Sequence, residues 1–193
     1  RLSLRGAIAT KQSMLVEFIN KFLSIGVILG QVFIAAWVVY LIFFRKKAIP
    51  AVKFISQHGL WLAFLVACIS TATSLFYSDI IGFEPCILCW YQRIFMYPQI
   101  VLLGLAIIKK ESKIIDYALS LSIIGAAISV YHNYLYYMSQ GANFVCDFGG
   151  MQVSCMKRYI FEFGYVTLPL MALTGFLLII IFLLAKHLSL RSS

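Results

Sequence analysis

The sequence predicts an all-α integral membrane protein, a four-helix transmembrane bundle with one additional N-terminal transmembrane helix. Three observations support this fold class: 62% of the 193 residues are hydrophobic, only 12% are charged, and the apolar residues form five long runs. Soluble domains average about 45–50% apolar and about 25% charged residues, so the bilayer is the expected solvent. Inside a bilayer the backbone must satisfy its own polar groups, which favours helices.

Each run approaches the roughly 20 apolar residues that a helix needs to cross the hydrocarbon core. The first two runs carry no charge, the third contains Arg93, and the fourth contains Asp116 near its start and His132 near its end. We divide the chain into residues 1–50, the N-terminal tail with the additional helix, and residues 51–193, the four-helix domain. The five predicted helices cover residues 22–44, 59–77, 90–108, 114–138 and 166–185.

Basic residues cluster on one side of the four-helix domain. Nine lie in the connections after the first, third and fifth helices: Arg45, Lys46, Lys47, Lys53, Lys109, Lys110, Lys113, Lys186 and Arg191. The other side has only Arg93, Lys157 and Arg158. The positive-inside rule then predicts a multi-pass protein whose basic side faces the cytoplasm, with residues 78–89 and 139–165 facing outward. The net charge of +9 does not indicate nucleic-acid binding, because the basic residues flank hydrophobic runs.

The first predicted helix conflicts with this charge pattern, because spanning would place residues 1–21 and their four basic side chains outside. Its apolar run exceeds the about 7–15 residues of a signal-peptide core, and no small-residue cleavage site follows. An ordinary signal peptide is therefore not predicted. A natural start at Met14 would leave only Glu17 and Lys21 outside and nearly remove the conflict.

Four of the five cysteines fall in the two outward loops. Cys86 and Cys89 form a C-x-x-C motif at the start of the third helix, whereas Cys146 and Cys155 lie before the fifth. Cys68, inside the second helix, is interpreted as a small apolar residue. Outside the cytoplasm disulfides persist, so the pairs fit either redox chemistry or structural staples. No metal site is predicted, because zinc would need a second tight pair and a closed tetrahedral geometry.

The residues around Cys89 favour redox chemistry. Pro85 suits the first turn of a helix, which would place Cys86 and Cys89 near the positive end of the helix dipole, where thiolates are favoured. Arg93 follows Cys89 by four residues, so both lie on one helix face. The arginine could stabilise a thiolate at Cys89, or it could only extend to the membrane interface.

His132 lies near the outer end of the fourth helix, at a depth similar to that of Arg93. A histidine there could relay protons near neutral pH, or it could simply bond to a neighbouring helix. Nearby aromatic residues indicate an interfacial belt, and some could also wall a flat ring-shaped ligand. They are Trp90, Tyr91, Tyr131, Tyr134, Tyr136 and Tyr137.

The run Cys86-Ile87-Leu88-Cys89-Trp90-Tyr91-Gln92-Arg93 resembles the DsbB family of membrane thiol–disulfide oxidoreductases, in particular its short BdbC-like branch. The continuation through residues 94–98, the Tyr131-His132-Asn133 stretch and residues 164–169 are similar to that branch as well. The resemblance covers about residues 59–186. It implies a four-helix bundle with a bound quinone in the bacterial cytoplasmic membrane.

The resemblance also implies roles for single residues. Cys86 and Cys89 match the pair that exchanges electrons with ubiquinone or menaquinone, and Cys89 is the cysteine that engages the ring. Arg93 matches the arginine beside the ring, and His132 matches a histidine near the same site. The implied function is to reoxidise an extracytoplasmic DsbA-like partner of thioredoxin fold and pass its electrons to the membrane quinone, which supports disulfide bond formation and protein folding.

Cys146 and Cys155 resemble the loop pair that oxidises the partner, with Cys146 forming the mixed disulfide. Two departures stand out. The first helix is additional to the four-helix core, and the short loop leaves little room for a membrane-lying helix between these cysteines. Two alternatives are a vitamin K epoxide reductase-like protein and a non-catalytic membrane subunit with structural disulfides. A C-x-x-C that opens its helix directly after Pro85 favours the DsbB-like interpretation over the first of these.

Overall fold

The computed structural model describes residues 2–43, 50–138 and 160–191, and within these ranges the chain is almost entirely helical. The long helices are α1 (Leu2–Phe43), α2 (Pro50–Leu75), α3 (Ile87–Lys109), α4 (Ser112–Met138) and α5 (Leu168–Arg191). A short π-helical turn, Phe76–Ile80, extends α2. The β-structure of the described residues is a single bridge between Glu162 and Val166.

All five helices are long and apolar enough to cross a membrane, which confirms the predicted fold class. The spans are Val16–Tyr40, Lys53–Ile80, Ile87–Lys109, Lys113–Met138 and Leu168–Leu188. The predicted helices lie in the same five places, but most of the predicted ranges are shorter than the helices of the structure. Helices continue past the hydrocarbon core into polar sequence, and an apolar run does not record that extension.

Small residues let the four helices of the bundle approach closely. Gly125 of α4 faces the ring of Phe176 on α5, and Gly175 faces Ser70 of α2. Between lipid-embedded helices there is little hydrophobic driving force, so such close van der Waals packing is a main source of stability. The fully buried large side chains at this packing surface include Leu103, Phe176, Ile179 and Leu183.

Buried polar contacts fix α3 against α4. The Gln99 side-chain amide donates to Ser122 Oγ at 2.8 Å and to the Ala118 carbonyl at 3.0 Å. Nearer the cysteines along α3, the Gln92 side-chain amide donates to Ser129 Oγ at 3.1 Å. Away from water each of these groups needs a partner inside the protein, so the contacts set the relative register of the two helices.

The segments that flank the two cysteine loops meet at one end of the bundle. Cys86, before α3, contacts His132 near the end of α4. The hydroxyl of Tyr137, also near the end of α4, donates to the Tyr165 carbonyl at 2.6 Å, just before α5. The start of α3, the end of α4 and the approach to α5 therefore share one end, as the alternation of loops predicted.

Candidate redox site at the start of α3

The C-x-x-C motif forms the first turn of α3. Cys86 is the N-cap residue, in extended conformation with φ −70° and ψ 169°, and its carbonyl accepts the Trp90 N–H at 3.1 Å. Pro85 therefore precedes the N-cap instead of lying in the first turn as predicted. The reason is that the first backbone hydrogen bond of the helix closes on Cys86, which leaves Pro85 outside.

The two sulfur atoms lie 3.2 Å apart, close enough for disulfide formation after a small side-chain adjustment. Cys86 is buried, whereas Cys89 is partly exposed. The backbone N–H groups of a helical first turn have no acceptor within the helix, and they give this end a partial positive charge. Both sulfurs therefore lie near the positive end of the α3 dipole.

His132 lies beside Cys86. Its Nε2 atom is 3.8 Å from Cys86 Sγ, and the histidine is only 1% exposed. The neighbouring Asn133 amide donates to the Ser129 carbonyl at 2.8 Å, which ties this turn of α4 to the polar contacts below it. At this distance His132 can exchange a proton with Cys86 after minor movement.

The same three side chains could also hold a metal ion. The ligand atoms of Cys86, Cys89 and His132 all lie within 4.8 Å of one another. Two thiolates and an imidazole suit a soft ion such as Zn²⁺, although structural zinc sites normally use four ligands. The three side chains form a dithiol with a nearby imidazole. The sequence analysis predicted no metal site at these residues.

Arg93 is held by α2 rather than extended freely to the interface. Its Nε donates to Ser74 Oγ at 2.9 Å, and its Nη2 donates to the Ser74 carbonyl at 3.1 Å. The guanidinium carbon lies 5.3 Å from the centre of the Trp90 ring, within the range of a cation–π contact. Tyr97 donates a further hydrogen bond to Ser74 Oγ at 3.3 Å. These contacts fix the position of the charge.

Cys89 and Arg93 line one cavity of about 500 Å³. Its wall is mostly apolar, and it extends from the start of α3 down between α1, α2 and α5 to Val66 and Leu178. Along α2 the lining runs from Val66 to Ser78, about 18 Å at 1.5 Å per residue. The cavity is therefore long and narrow, with two charged groups, Glu84 and Arg93, and the thiol of Cys89 toward one end.

The structure thus separates the predicted residues into two groups. The spacing of Cys89 and Arg93 predicted a common face of α3, and in the structure both also line one cavity. His132 is absent from the lining of this cavity and lies beside Cys86 instead. Cys146 and Cys155 lie outside the described residues. Sequence reasoning missed Ser74, although the run Ser70-Thr71-Ala72-Thr73-Ser74 was a usable signal, since polar residues inside a spanning helix are frequently functional.

Five spanning helices, with a cysteine pair at a helix start beside an apolar cavity, define a multi-pass membrane protein equipped for thiol chemistry. The family model described as "Disulfide bond formation protein DsbB" matches residues 56–186. The match covers more than half of the chain, and the chain belongs to the DsbB family. This confirms the family predicted from the C-x-x-C run.

Curated proteins similar to this chain have names that match the family description. "Probable disulfide formation protein C 1" of Bacillus cereus is 43% identical over 125 residues, which cover 64% of this chain and 87% of the relative. "Disulfide bond formation protein C" of Bacillus subtilis is 42% identical over 129 residues, or 64% and 88% of the two chains. "Probable disulfide formation protein" of Chlamydia pneumoniae is 37% identical over 125 residues, or 65% and 88%.

No solved structure matches the chain. The protein is a BdbC-like member of the DsbB family, a multi-pass membrane oxidoreductase of disulfide bond formation. The family match favours this assignment over the vitamin K epoxide reductase-like alternative and over a non-catalytic subunit.

Proposed function

We propose that the protein reoxidises a DsbA-like thiol oxidase outside the cytoplasm and passes the electrons to a membrane quinone, ubiquinone or menaquinone. The observation that carries this proposal is the shared cavity of Cys89 and Arg93. It brings a nucleophilic sulfur and a fixed cation to one apolar space. Family membership supplies the direction of electron flow, toward the formation of disulfides.

The cavity residues fit a quinone. A quinone has a flat ring with two carbonyl oxygens and an apolar tail, so its site needs donors at one end and an apolar channel beyond. Arg93 supplies the donors, and the channel toward Val66 and Leu178 supplies the apolar wall. When bound, the quinone would supply the acceptor for two electrons and two protons; the protein supplies orientation and charge.

The first exchange takes place in the outer loop. A thiolate of the reduced partner attacks Cys146 of the Cys146–Cys155 disulfide, which forms a mixed disulfide and releases Cys155 as a thiolate. The partner's second thiol then attacks the mixed disulfide. The partner leaves with its own disulfide, and the loop pair holds two thiols.

The second exchange carries the electrons to α3. A loop thiolate attacks Cys86, which forms a mixed disulfide with the loop, and Cys89 leaves as a thiolate beside Arg93. The second loop thiol then attacks this mixed disulfide, re-forms the Cys146–Cys155 disulfide and releases Cys86 as a thiol. His132 is placed to accept or return the proton of Cys86 at a sulfur–nitrogen distance of 3.8 Å. We therefore assign His132 to the thiol exchange in place of direct contact with the quinone ring. Oxidation of the two thiols re-forms the Cys86–Cys89 disulfide and delivers two electrons to the acceptor.

Two further assignments complete the proposal. The ends of α1, α3 and α5 face the cytoplasm and both cysteine loops face outward from the cytoplasmic membrane, an orientation that the nine clustered basic residues support. Residues 51–193 form the redox domain, which the family match at residues 56–186 supports. Residues 1–50 are an addition to it.

Reconstituted turnover tests the proposed function. Purified protein, a reduced DsbA-like protein and menaquinone or ubiquinone should give repeated oxidation of the partner, with quinone reduction followed by absorbance. A protein depleted of quinone should oxidise the partner only until its own disulfides are consumed. Repeated turnover without quinone under anaerobic conditions would overturn the proposal.

A further inference from the structure

Helix α1 forms a wall of the cavity that holds Cys89 and Arg93, although it lies wholly before the family-matched residues 56–186. Only 6% of the α1 spanning window is buried, so α1 is a peripheral helix and not part of the bundle core. Six of its residues nevertheless line the cavity: Phe22, Leu23, Ile25, Gly26, Val27 and Leu29.

Polar contacts hold α1 at this position. The Tyr77 hydroxyl donates to Asn20 Oδ1 at 2.7 Å, and the Tyr165 hydroxyl donates to Gln31 Oε1 at 3.1 Å. Gln31 also reaches Thr174 Oγ1 of α5 at 3.4 Å. Tyr77 is itself buried and lines the cavity. In lipid such hydrogen bonds orient a helix that hydrophobic burial alone would leave free to rotate.

Two glycines one helical turn apart have different surroundings. A Cβ at Gly30 would lie 3.1 Å from side-chain atoms of Leu178 and Thr174, so Gly30 is the point of close contact with α5. A Cβ at Gly26 would meet no atom within 4 Å, and Gly26 lines the cavity. The backbone of α1 therefore packs tightly at one turn and leaves open space at the next.

We propose that α1 is the lipid-side wall of the quinone site and that the missing side chain of Gly26 sets the width of that site. This inference rests on the proposed function and adds an element outside the matched four-helix domain. Lipid tails are as apolar as the cavity wall, so α1 contributes little affinity by hydrophobicity. Its contribution is steric: it encloses a prenylated quinone so that the ring stays beside Cys89 and Arg93.

Substitution at Gly26 tests the width of the site. Gly26→Phe places a ring in the open space and should raise the Kd for menaquinone by at least about tenfold, whereas Gly26→Ala should have a small effect. Val32→Phe is the matched control, because Val32 is 61% exposed and absent from the cavity lining. Binding is measured by quenching of tryptophan fluorescence and by the quinone content of the purified full-length protein.

Photoaffinity labelling tests the same wall in the unmodified protein. An azido-menaquinone should label residues 22–29 of α1 as well as the start of α3. Labelling confined to α2, α3 and α5, or normal menaquinone binding by Gly26→Phe, would overturn the role of α1 and leave the proposed function intact. A wild-type protein that neither binds menaquinone nor is labelled would instead overturn the proposed function itself.

Discussion

Replacing Arg93 by alanine should weaken quinone use by roughly ten- to hundredfold, because it removes the charged donor that lines the cavity with Cys89. In the part of the chain that the structure describes, Ser74 takes two of the five guanidinium N–H donors. The remaining donors can reach a ligand in the cavity. Losing a hydrogen bond from a charged group typically costs about 1.5–3 kcal/mol, which corresponds to this range.

Substitutions at Arg93 and Ser74 separate the effect of the positive charge from the effect of its position. Arg93→Lys keeps the charge but loses the planar fork, so its loss should be smaller than that of alanine. Ser74→Ala keeps the arginine but removes the Oγ acceptor, and a typical net hydrogen bond of about 0.5–1.5 kcal/mol predicts up to a tenfold loss. Ser120→Ala is the matched control, because Ser120 is exposed and bonds only within α4.

The assay is turnover against quinone concentration for each variant, with stoichiometric exchange between the protein and the reduced partner measured without quinone. All variants should show normal exchange and differ only in quinone dependence. A normal quinone dependence in Arg93→Ala would refute the reasoning. The arginine would then serve only to join α3 to α2.

Four further predictions follow from the site and the fold. An impermeant thiol reagent applied to intact, reduced cells should label Cys86, Cys89, Cys146 or Cys155 and largely spare the cysteine within α2. Cys155→Ala should accumulate a mixed disulfide between Cys146 and the partner, because the resolving thiol is missing; gel mobility under non-reducing conditions detects it. His132→Ala should slow exchange at Cys86 by about 10²–10⁴-fold without changing the KM for quinone, because the variant loses the group that moves a proton there. Gly125→Val should cost about 1–3 kcal/mol of stability and lower the Tm in detergent, because the new side chain overlaps a buried ring of α5.

Each of these predictions has an outcome that contradicts it. Labelling of the loop cysteines only after lysis would reverse the topology. A partner adduct that requires Cys86 or Cys89 would reverse the order of the relay. If His132→Ala raises the KM for quinone and leaves exchange normal, His132 acts at the quinone ring and not in thiol exchange. Gly104→Ala is the control for Gly125, since its added Cβ would make an ordinary 3.6 Å contact with Phe64; equal Tm values would contradict the packing argument.

The sequence predicted features that depend on local spacing. Apolar length located all five spans, because a bilayer imposes one length on every helix. The four-residue interval between Cys89 and Arg93 placed both on one face of α3, and both line one cavity. Helix geometry alone determines such relationships, so they can be read without knowing which helices are neighbours.

Features that depend on packing between helices could not be predicted in the same way. The contact of Arg93 with Ser74 joins positions 19 residues apart, and only the packing of α2 on α3 brings them together. The depth of His132 was predicted, but the rotation of α4 decides that it faces Cys86. The position of α1 against the cavity depends on Asn20, Gln31 and Gly30, which looked like ordinary residues of a spanning helix.

We infer that the Cys86–Cys89 pair delivers electrons to a quinone in the cavity. The most direct measurement is an anaerobic titration of reduced protein that lacks the loop pair, Cys146→Ala with Cys155→Ala, using menaquinone. The account predicts that each protein molecule reduces one quinone while the two thiols of α3 become a disulfide, and that adding Cys89→Ser abolishes the reaction. Quinone reduction that persists without Cys89, or that needs Cys146 and Cys155 to be present, would contradict the claim.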